Sequence, residues 1–405
     1  MKRIFIMISV MLSITSLVYA QSNQWTVYRT VNSDVSLFNT LSIVIDKNDN
    51  KWISTSRYGL AKYDGTNWVG YNSSNSGMPN NSIVSLALEE GVTKWIGTQD
   101  SGLVKFDDRS WTIYKTTNSG IPSNTVSSIV VDRDGNKWIG TVNGLAKFNG
   151  TTWTVFNSSN SGLPNNIIRS LVIDENNTIW VGTISGLAKF DGTSWTVFNT
   201  SNSGLRSNVI LSLTIDSNKD KWIGTSSYGV VKYDGLNWVT YLAGNTIYSI
   251  VIDRSGNKWI GTSSGGLMMF NGSDWRTFDN SNSGLPDNNV RSIAIDRMGT
   301  KWVGTSYGLA AYNENGTLTS IDEYISTKNS LKVYPVPAKD ALNIELQAGN
   351  ITSLVEIFNT NGIKVKDQRL FGNVNTIYID DLAVGFYVVK IFTKTGLIVK
   401  SIIKQ

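Results

Sequence analysis

The 405-residue chain contains neither cysteine nor histidine. Without cysteine there are no disulfides, no thiolate nucleophile, no thiolate metal site and no thiol for lipid attachment. Without histidine the usual zinc ligands, the imidazole general base and every Ser-His or Cys-His arrangement are missing too. Any catalysis would rest on carboxylates, tyrosine, lysine or arginine, and neither a metal nor a cofactor is expected. Long apolar runs are also lacking, except at the N-terminus. There Lys2 and Arg3 precede a nearly unbroken apolar stretch from Ile4 to Val18, and Val18-Tyr19-Ala20 forms a small-residue cleavage site. This pattern predicts a cleaved secretory signal over residues 1–20. The stretch is short of the roughly 20 residues that span a bilayer, so no transmembrane segment is expected after cleavage.

The net charge of +5 is unevenly placed. Residues 21–327 carry 24 Lys and Arg against 25 Asp and Glu, whereas residues 328–405 carry 10 against 6. The central region thus lacks the basic stripe that neutralises phosphates, and no nucleic-acid partner is expected.

What the chain has in abundance is tryptophan, and every one of its 14 tryptophans belongs to a repeat. The stretch DRDGNKWIGT at 132–141 recurs in seven versions, with tryptophan at 52, 95, 138, 180, 222, 259 and 302. A second series in WTVY-like segments falls at 25, 68, 111, 153, 195, 238 and 275. A period of about 40 to 45 residues built from short β-rich runs is the signature of a four-stranded propeller blade. In the third copy, alternation and turn signals place strands at 126–132, 137–141, 145–148 and 153–156, with Asn149-Gly150 as a hairpin turn. The expected fold is therefore all-β, a seven-bladed β-propeller over 21–320. Because the seventh copy ends after its third strand, Trp25 to Tyr28 is expected to close the ring as its outer strand, with 316–321 as the competing segment. Polar crossovers such as NSSNSGLPNN at 157–166 join the blades. The one before Ile250 is six residues short, which predicts a notch on that rim.

The pattern NSGLPxNxVxSLxxDxxGNxWIGTxxGLxKFDG resembles the two-component regulator propeller repeat. That resemblance, over about 300 residues, implies the seven-bladed fold of the periplasmic sensor halves of hybrid sensor kinases in Bacteroidetes. Those sensors continue into a transmembrane helix and a kinase, and neither occurs in this sequence.

After a linker at 321–330, residues 331–405 read as a small C-terminal β-sandwich with hairpin turns at Asn361-Gly362 and Thr395-Gly396. VYPVPAKDALNIEL, VEIFNTNGIKV, LAVGFYVVKI and the final KSIIKQ resemble the type A C-terminal sorting domain of the type IX secretion system. Val336 stands where that family carries Asn in Y-P-N-P. The resemblance implies export across the outer membrane through the type IX machinery, with the tail removed and the propeller anchored to surface lipopolysaccharide or released.

The DRDGN segment has a calcium-like alternation of Asp132, Asp134 and Asn136. A calcium site needs six to eight oxygens, however, and here a strand follows in place of the closing glutamate. An acidic residue six before each tryptophan recurs seven times, as a turn residue would and a catalytic pair would not. Recurrence likewise makes the tryptophans packing residues in preference to sugar platforms. Function is expected where the copies disagree, on the rim formed by the crossovers and by the loops between second and third strands. Candidates in those loops are Arg57, Tyr58, Asp100, Asn143, Tyr228 and Tyr307. At the head of the innermost strands, Arg169, Tyr248 and Arg291 stand among aliphatic equivalents and are the candidates at the channel mouth; ordinary solvated variation is the alternative. The reading is a secreted or cell-surface, monomeric binding protein whose ligand is a glycan or peptide. A propeller hydrolase or lyase using carboxylate or tyrosine chemistry, first sought at Asp100 with Arg57 or Tyr58, is the alternative, and a purely structural or adhesive surface protein is a third.

Overall fold

The computed structural model describes residues 24–29, 35–314, 331–346, 352–359, 364–371, 374–393 and 396–405. The signal segment, the competing strand at 316–321, the linker and Asn361-Gly362 lie outside them. Two compact units are present, one over Gln24–Thr317 and one holding Leu318 to Gln405.

In the first unit, six four-stranded antiparallel sheets follow one another as simple meanders, and a seventh is assembled from both ends. The seventh blade consists of Val290–Ile295, Lys301–Thr305, Gly308–Tyr312 and, as its outer strand, Trp25–Tyr28. Trp25 pairs with Tyr312 and Tyr28 with Leu309, so the expected ring closure is what forms. Closure removes the free edge that Gly308–Tyr312 would otherwise present to other chains. In blade 3 the strands run Val126–Val131, Lys137–Thr141, Gly144–Phe148 and Trp153–Phe156. The first ends one residue before Asp132 because that side chain turns back to accept N–H groups of the following turn. The third begins one residue early because Gly144, with φ of 119°, pairs with Thr141. At the Asn149-Gly150 turn, Gly150 has φ of 107° and Asn149 Oδ1 accepts the N–H groups of Thr151 and Thr152. In blades 4 and 5 the same position is aspartate, and backbone N–H donors lower Asp191 and Asp234 to about 2.

The core lies between blades, where the second-strand tryptophans, Trp52 through Trp302, are all buried. Burying a side chain of this size contributes about 1.5–3 kcal/mol or more. In six blades the indole N–H donates to the acidic residue six positions earlier at 2.8–3.0 Å, as from Trp138 to Asp132. In blade 4, Trp180 Nε1 is buried without a partner. The lysine before each tryptophan lies over the tryptophan of the preceding blade. Lys94 Nζ is 4.3 Å from the Trp52 ring centre, Lys301 is 4.5 Å from Trp259, and Lys51 completes the circle 5.1 Å from Trp302. Each such cation–π contact is worth about 0.5–2 kcal/mol. The missing member is against Trp138, where Ile179 packs instead.

The outer-strand tryptophans stack on the aromatic residue ending the third strand, Trp111 on Phe106 at 3.9 Å and Trp153 on Phe148 at 4.3 Å. Five crossovers, those that follow blades 1 to 4 and blade 6, then lay a glycine on the next blade's outer tryptophan. A Cβ at Gly162 would sit 2.2 Å from Trp195 Cβ, and one at Gly284 would sit 2.4 Å from that of Trp25, so no other residue fits. The shortened crossover between blades 5 and 6 has no such glycine, and Trp275 is left 36% exposed.

The second unit pairs a three-stranded sheet (Leu331–Tyr334, Ala341–Leu346, Val374–Tyr378) with a four-stranded one (Lys364–Phe371, Thr352–Asn359, Gly385–Thr393, Gly396–Lys404). Leu342, Ile344, Val355, Ile357, Ile377, Val389 and Ile402 fill the space between them.

Candidate functional site

In every blade the pairing of the innermost strand slips by one residue near its start, for example between Ile168 and Ser170 and between Val290 and Ser292. The extra residues are Leu41, Val84, Ser127, Arg169, Leu211, Tyr248 and Arg291. The position singled out by comparing repeats is therefore a β-bulge, which frees a side chain from the ladder and re-aims it. Because the innermost strands pack side by side around the ring, these bulges encircle the channel mouth. Ser127 shows the inert case, its hydroxyl donating to the carbonyls of Gly140 and Ile168. Arg169 is exposed. Arg291 instead reaches toward blade 6, with its guanidinium carbon 4.8 Å from the ring centre of Tyr248.

Beside Arg291 a cavity of about 620 Å³ opens where blades 6, 7 and 1 meet, lined by Ser263 and Ser264, by Asp287 to Asn289 with Arg291, by Ser306 and Tyr307, and by Asn39. Its walls are stitched through the backbone. Gly266 N–H donates to the Asn288 carbonyl at 3.0 Å, Ser306 N–H to Asn289 at 3.2 Å, and Asn39 N–H to Ser306 at 2.9 Å. Three polar atoms of the lining are buried with no hydrogen-bond partner: Asp287 Oδ2, Asn289 Oδ1 and Arg291 Nε. Leaving such atoms unmet costs about 1–3 kcal/mol each, more where charged, so three in one cavity mark it out. Asp287 occupies the position of Asn80, Ser123, Asn165 and Ser207 in other crossovers. Those residues accept the N–H two residues on, Asn165 from Ile167 at 2.8 Å for instance. Blade 7 thus puts a carboxylate where its sisters use a neutral cap.

Of the candidate residues, Tyr248, Arg291 and Tyr307 are brought together here. Tyr307 is 62% exposed and meets Phe38 edge-on at 6.2 Å. The others stay on their own blades. Tyr58 lines a separate cavity of about 320 Å³ with Ser36, Asn72 and Asn75. Arg57 and Tyr228 are exposed. Asn143 donates to the Pro122 carbonyl at 3.2 Å. The Asp100 carboxylate accepts from Asn80 and from the Ser101 hydroxyl, and no ion pair links it to Arg57 among the described residues. Asp287, Asn289 and Asn39 were missed by reading the sequence; the departure of Asp287 from the neutral cap was the available signal.

The DRDGN carboxylates are engaged within the fold. Asp132 Oδ1 accepts the N–H groups of Asp134 and Asn136, and Oδ2 accepts from Trp138. Burial alone would raise the Asp132 pKa, but donors from Asn136, Trp138 and the turn outweigh it and hold it below the usual carboxylate value.

The fold and the tail define an exported propeller. Residues 332–405 match the secretion system C-terminal sorting domain, and residues 120–143 and 162–185 match the two component regulator propeller. The sorting domain directs export across the outer membrane to the cell surface or the extracellular space. No curated relative matches the chain by sequence. Among solved structures it is similar to the extracellular domain of a protein assigned as a hybrid two component system in B. thetaiotaomicron, with 18% identity, TM-score 0.63, and coverage of 94% of this chain and 57% of that one. It is similar to PorZ, a surface component of the type-IX secretion system of Porphyromonas gingivalis, with 19% identity, TM-score 0.57 and coverage of 90% and 59%. It also resembles virginiamycin B lyase of Staphylococcus aureus, at 10% identity and TM-score 0.59, covering 71% of this chain and 98% of that one. At these identities the likeness is one of fold. The chain spans a little over half the length of the first two.

Proposed function

We propose that this protein is a binding propeller of the cell exterior that takes a glycan or peptide on the crossover rim, at the junction of blades 6, 7 and 1. The observation that carries this reading is the set of three unpartnered polar atoms, from Asp287, Asn289 and Arg291, in one cavity lined by Tyr307, with Tyr248 beneath the Arg291 guanidinium. Pockets that recognise polar ligands combine a few convergent hydrogen-bonding groups with aromatic walls. Binding is favoured over catalysis because the cavity lining contains a single carboxylate, Asp287, and so no carboxylate pair for acid and base work. The propeller lyase of S. aureus is described in a catalytically inactive histidine-to-alanine form, and this chain has no histidine.

Glycan and peptide arrays probed with the purified protein test the proposal. Binding that disappears in the combined Asp287→Asn, Arg291→Leu variant supports it. Binding that survives that variant places the site elsewhere, and turnover of the captured ligand would replace binding with catalysis.

A further inference from the structure

The cavity holds one carboxylate and one guanidinium that are not paired with each other. Asp287 and Arg291 lie four residues apart and line the same space, yet no ion pair joins them among the described residues, and each has a buried polar atom without a partner. Elsewhere the propeller does pair its charges, as in Lys137 with Glu89 at 3.1 Å and Lys232 with Asp220 at 2.6 Å. Arg291 instead lays its guanidinium over the Tyr248 ring at 4.8 Å. The bulge at Arg291 fixes that direction.

Two opposite charges held open in one cavity call for a ligand that carries both. We infer that the cavity binds a short zwitterionic peptide, its terminal ammonium on Asp287 and Asn289 and its terminal carboxylate on Arg291. The inference rests on the binding site proposed above and goes further by naming the ligand's chemistry. An ammonium has three donors and no acceptor, which suits Asp287 Oδ2 and Asn289 Oδ1, two oxygens that are buried without a donor and that binding would turn toward the ligand. A carboxylate accepts from the planar guanidinium fork. A ligand with donors alone leaves Arg291 unanswered, and an anion meets Asp287 with the wrong sign. A volume of about 620 Å³ accommodates a few residues, not an isolated ion, and Tyr307 stands exposed at its edge for a ligand side chain.

The repeat supplies substitutions that the fold already accepts at equivalent positions. Asn80 and Asn165 stand where Asp287 does, and Leu41 and Leu211 where Arg291 does. The test is calorimetric titration of the full exported protein with trialanine, with N-acetyl-trialanine, with trialanine amide and with a neutral trisaccharide, maltotriose. Trialanine is expected to bind. Each capped form and each of the variants Asp287→Asn and Arg291→Leu is expected to lose about tenfold or more in affinity, since one charge-assisted contact goes in each case. Acetylation should be felt little by Asp287→Asn, which has already lost the same contact, and amidation little by Arg291→Leu. If capped and free peptides bind alike, or if only maltotriose binds, and in either case both variants weaken that binding, the zwitterion is wrong although the cavity remains the site. If every probe that binds does so unchanged in both variants, the cavity itself is not the site and both readings fall.

Discussion

At the scale of single residues, the acid and the tryptophan six positions apart form one unit. The carboxylate ties off the turn through backbone N–H groups and also receives the indole N–H, so the hairpin and the sheet interface are fixed together. Blade 4 departs from this. Trp180 is as buried as its equivalents, yet its Nε1 has no acceptor. Replacing a hydrogen-bonded donor loses its bond, whereas removing an unmet donor relieves a cost. Asp132 Oδ2 keeps its bond from Asn136 Nδ2, so Trp138→Phe is expected to lower stability by about 0.5–1.5 kcal/mol beyond its packing loss, and Trp180→Phe to cost measurably less. Guanidinium denaturation of both variants, monitored by circular dichroism, checks this; equal losses would show that the indole bond contributes nothing.

At the scale of elements, the crossovers are straps that cover the next blade's outer tryptophan with a glycine and fill the space beneath with an aliphatic residue, such as Leu163 or Leu205. The short crossover keeps part of this. Leu242 packs against the cluster between blades 5 and 6, and the Asn245 carbonyl still accepts Gly229 N–H at 2.8 Å, as Asn166 does for Gly144. The expected notch therefore exposes the outer face of blade 6 at Trp275, not the channel mouth. Trp153→Ala should cost about 3–5 kcal/mol, as large core deletions do, while Trp275→Ala should cost less than half of that. Acrylamide should also quench Trp275 preferentially, seen as a smaller quenched fraction in Trp275→Phe. Comparable losses in the two alanine variants would mean that the strap adds no burial.

The repeat made the blades, their strands and the bulge position legible, because residues that recur every 42 or 43 positions, or 37 across the shortened crossover, report the same local physics each time. Arg291 and Tyr248 could be singled out because they break that recurrence. The cavity could not be read the same way. Its lining joins Asn39 to residues near 263, 288 and 306, and each of these, taken alone, reads as an ordinary polar loop residue. Asp287 does break the neutral cap of the other crossovers, but what sets it and Asn289 apart is the absence of a partner in three dimensions, and a linear pattern does not carry that. The lysine circle was equally invisible, since a lysine beside a tryptophan in sequence lies over the tryptophan of another blade.

At the scale of the whole molecule, the C-terminal unit carries the address and the propeller carries the proposed binding site. The ring is closed by its own N-terminal strand and the strap glycine Gly284 packs on Trp25, so the propeller's described strands are complete without any strand from residues 331–405. The sorting unit has its own core, with Leu342, Ile377, Val389 and Ile402 buried among themselves. Removing residues 332–405 should therefore leave the propeller folded while abolishing its passage across the outer membrane. The truncated protein is expected to accumulate in the periplasm as a protease-resistant species with the cooperative unfolding of the full chain's larger unit. Fractionation of expressing cells, followed by limited proteolysis of the periplasmic pool, reads both parts. Truncated protein in the medium or on the cell surface would refute the address role of the tail, and a protease-sensitive periplasmic pool would refute the independence of the ring.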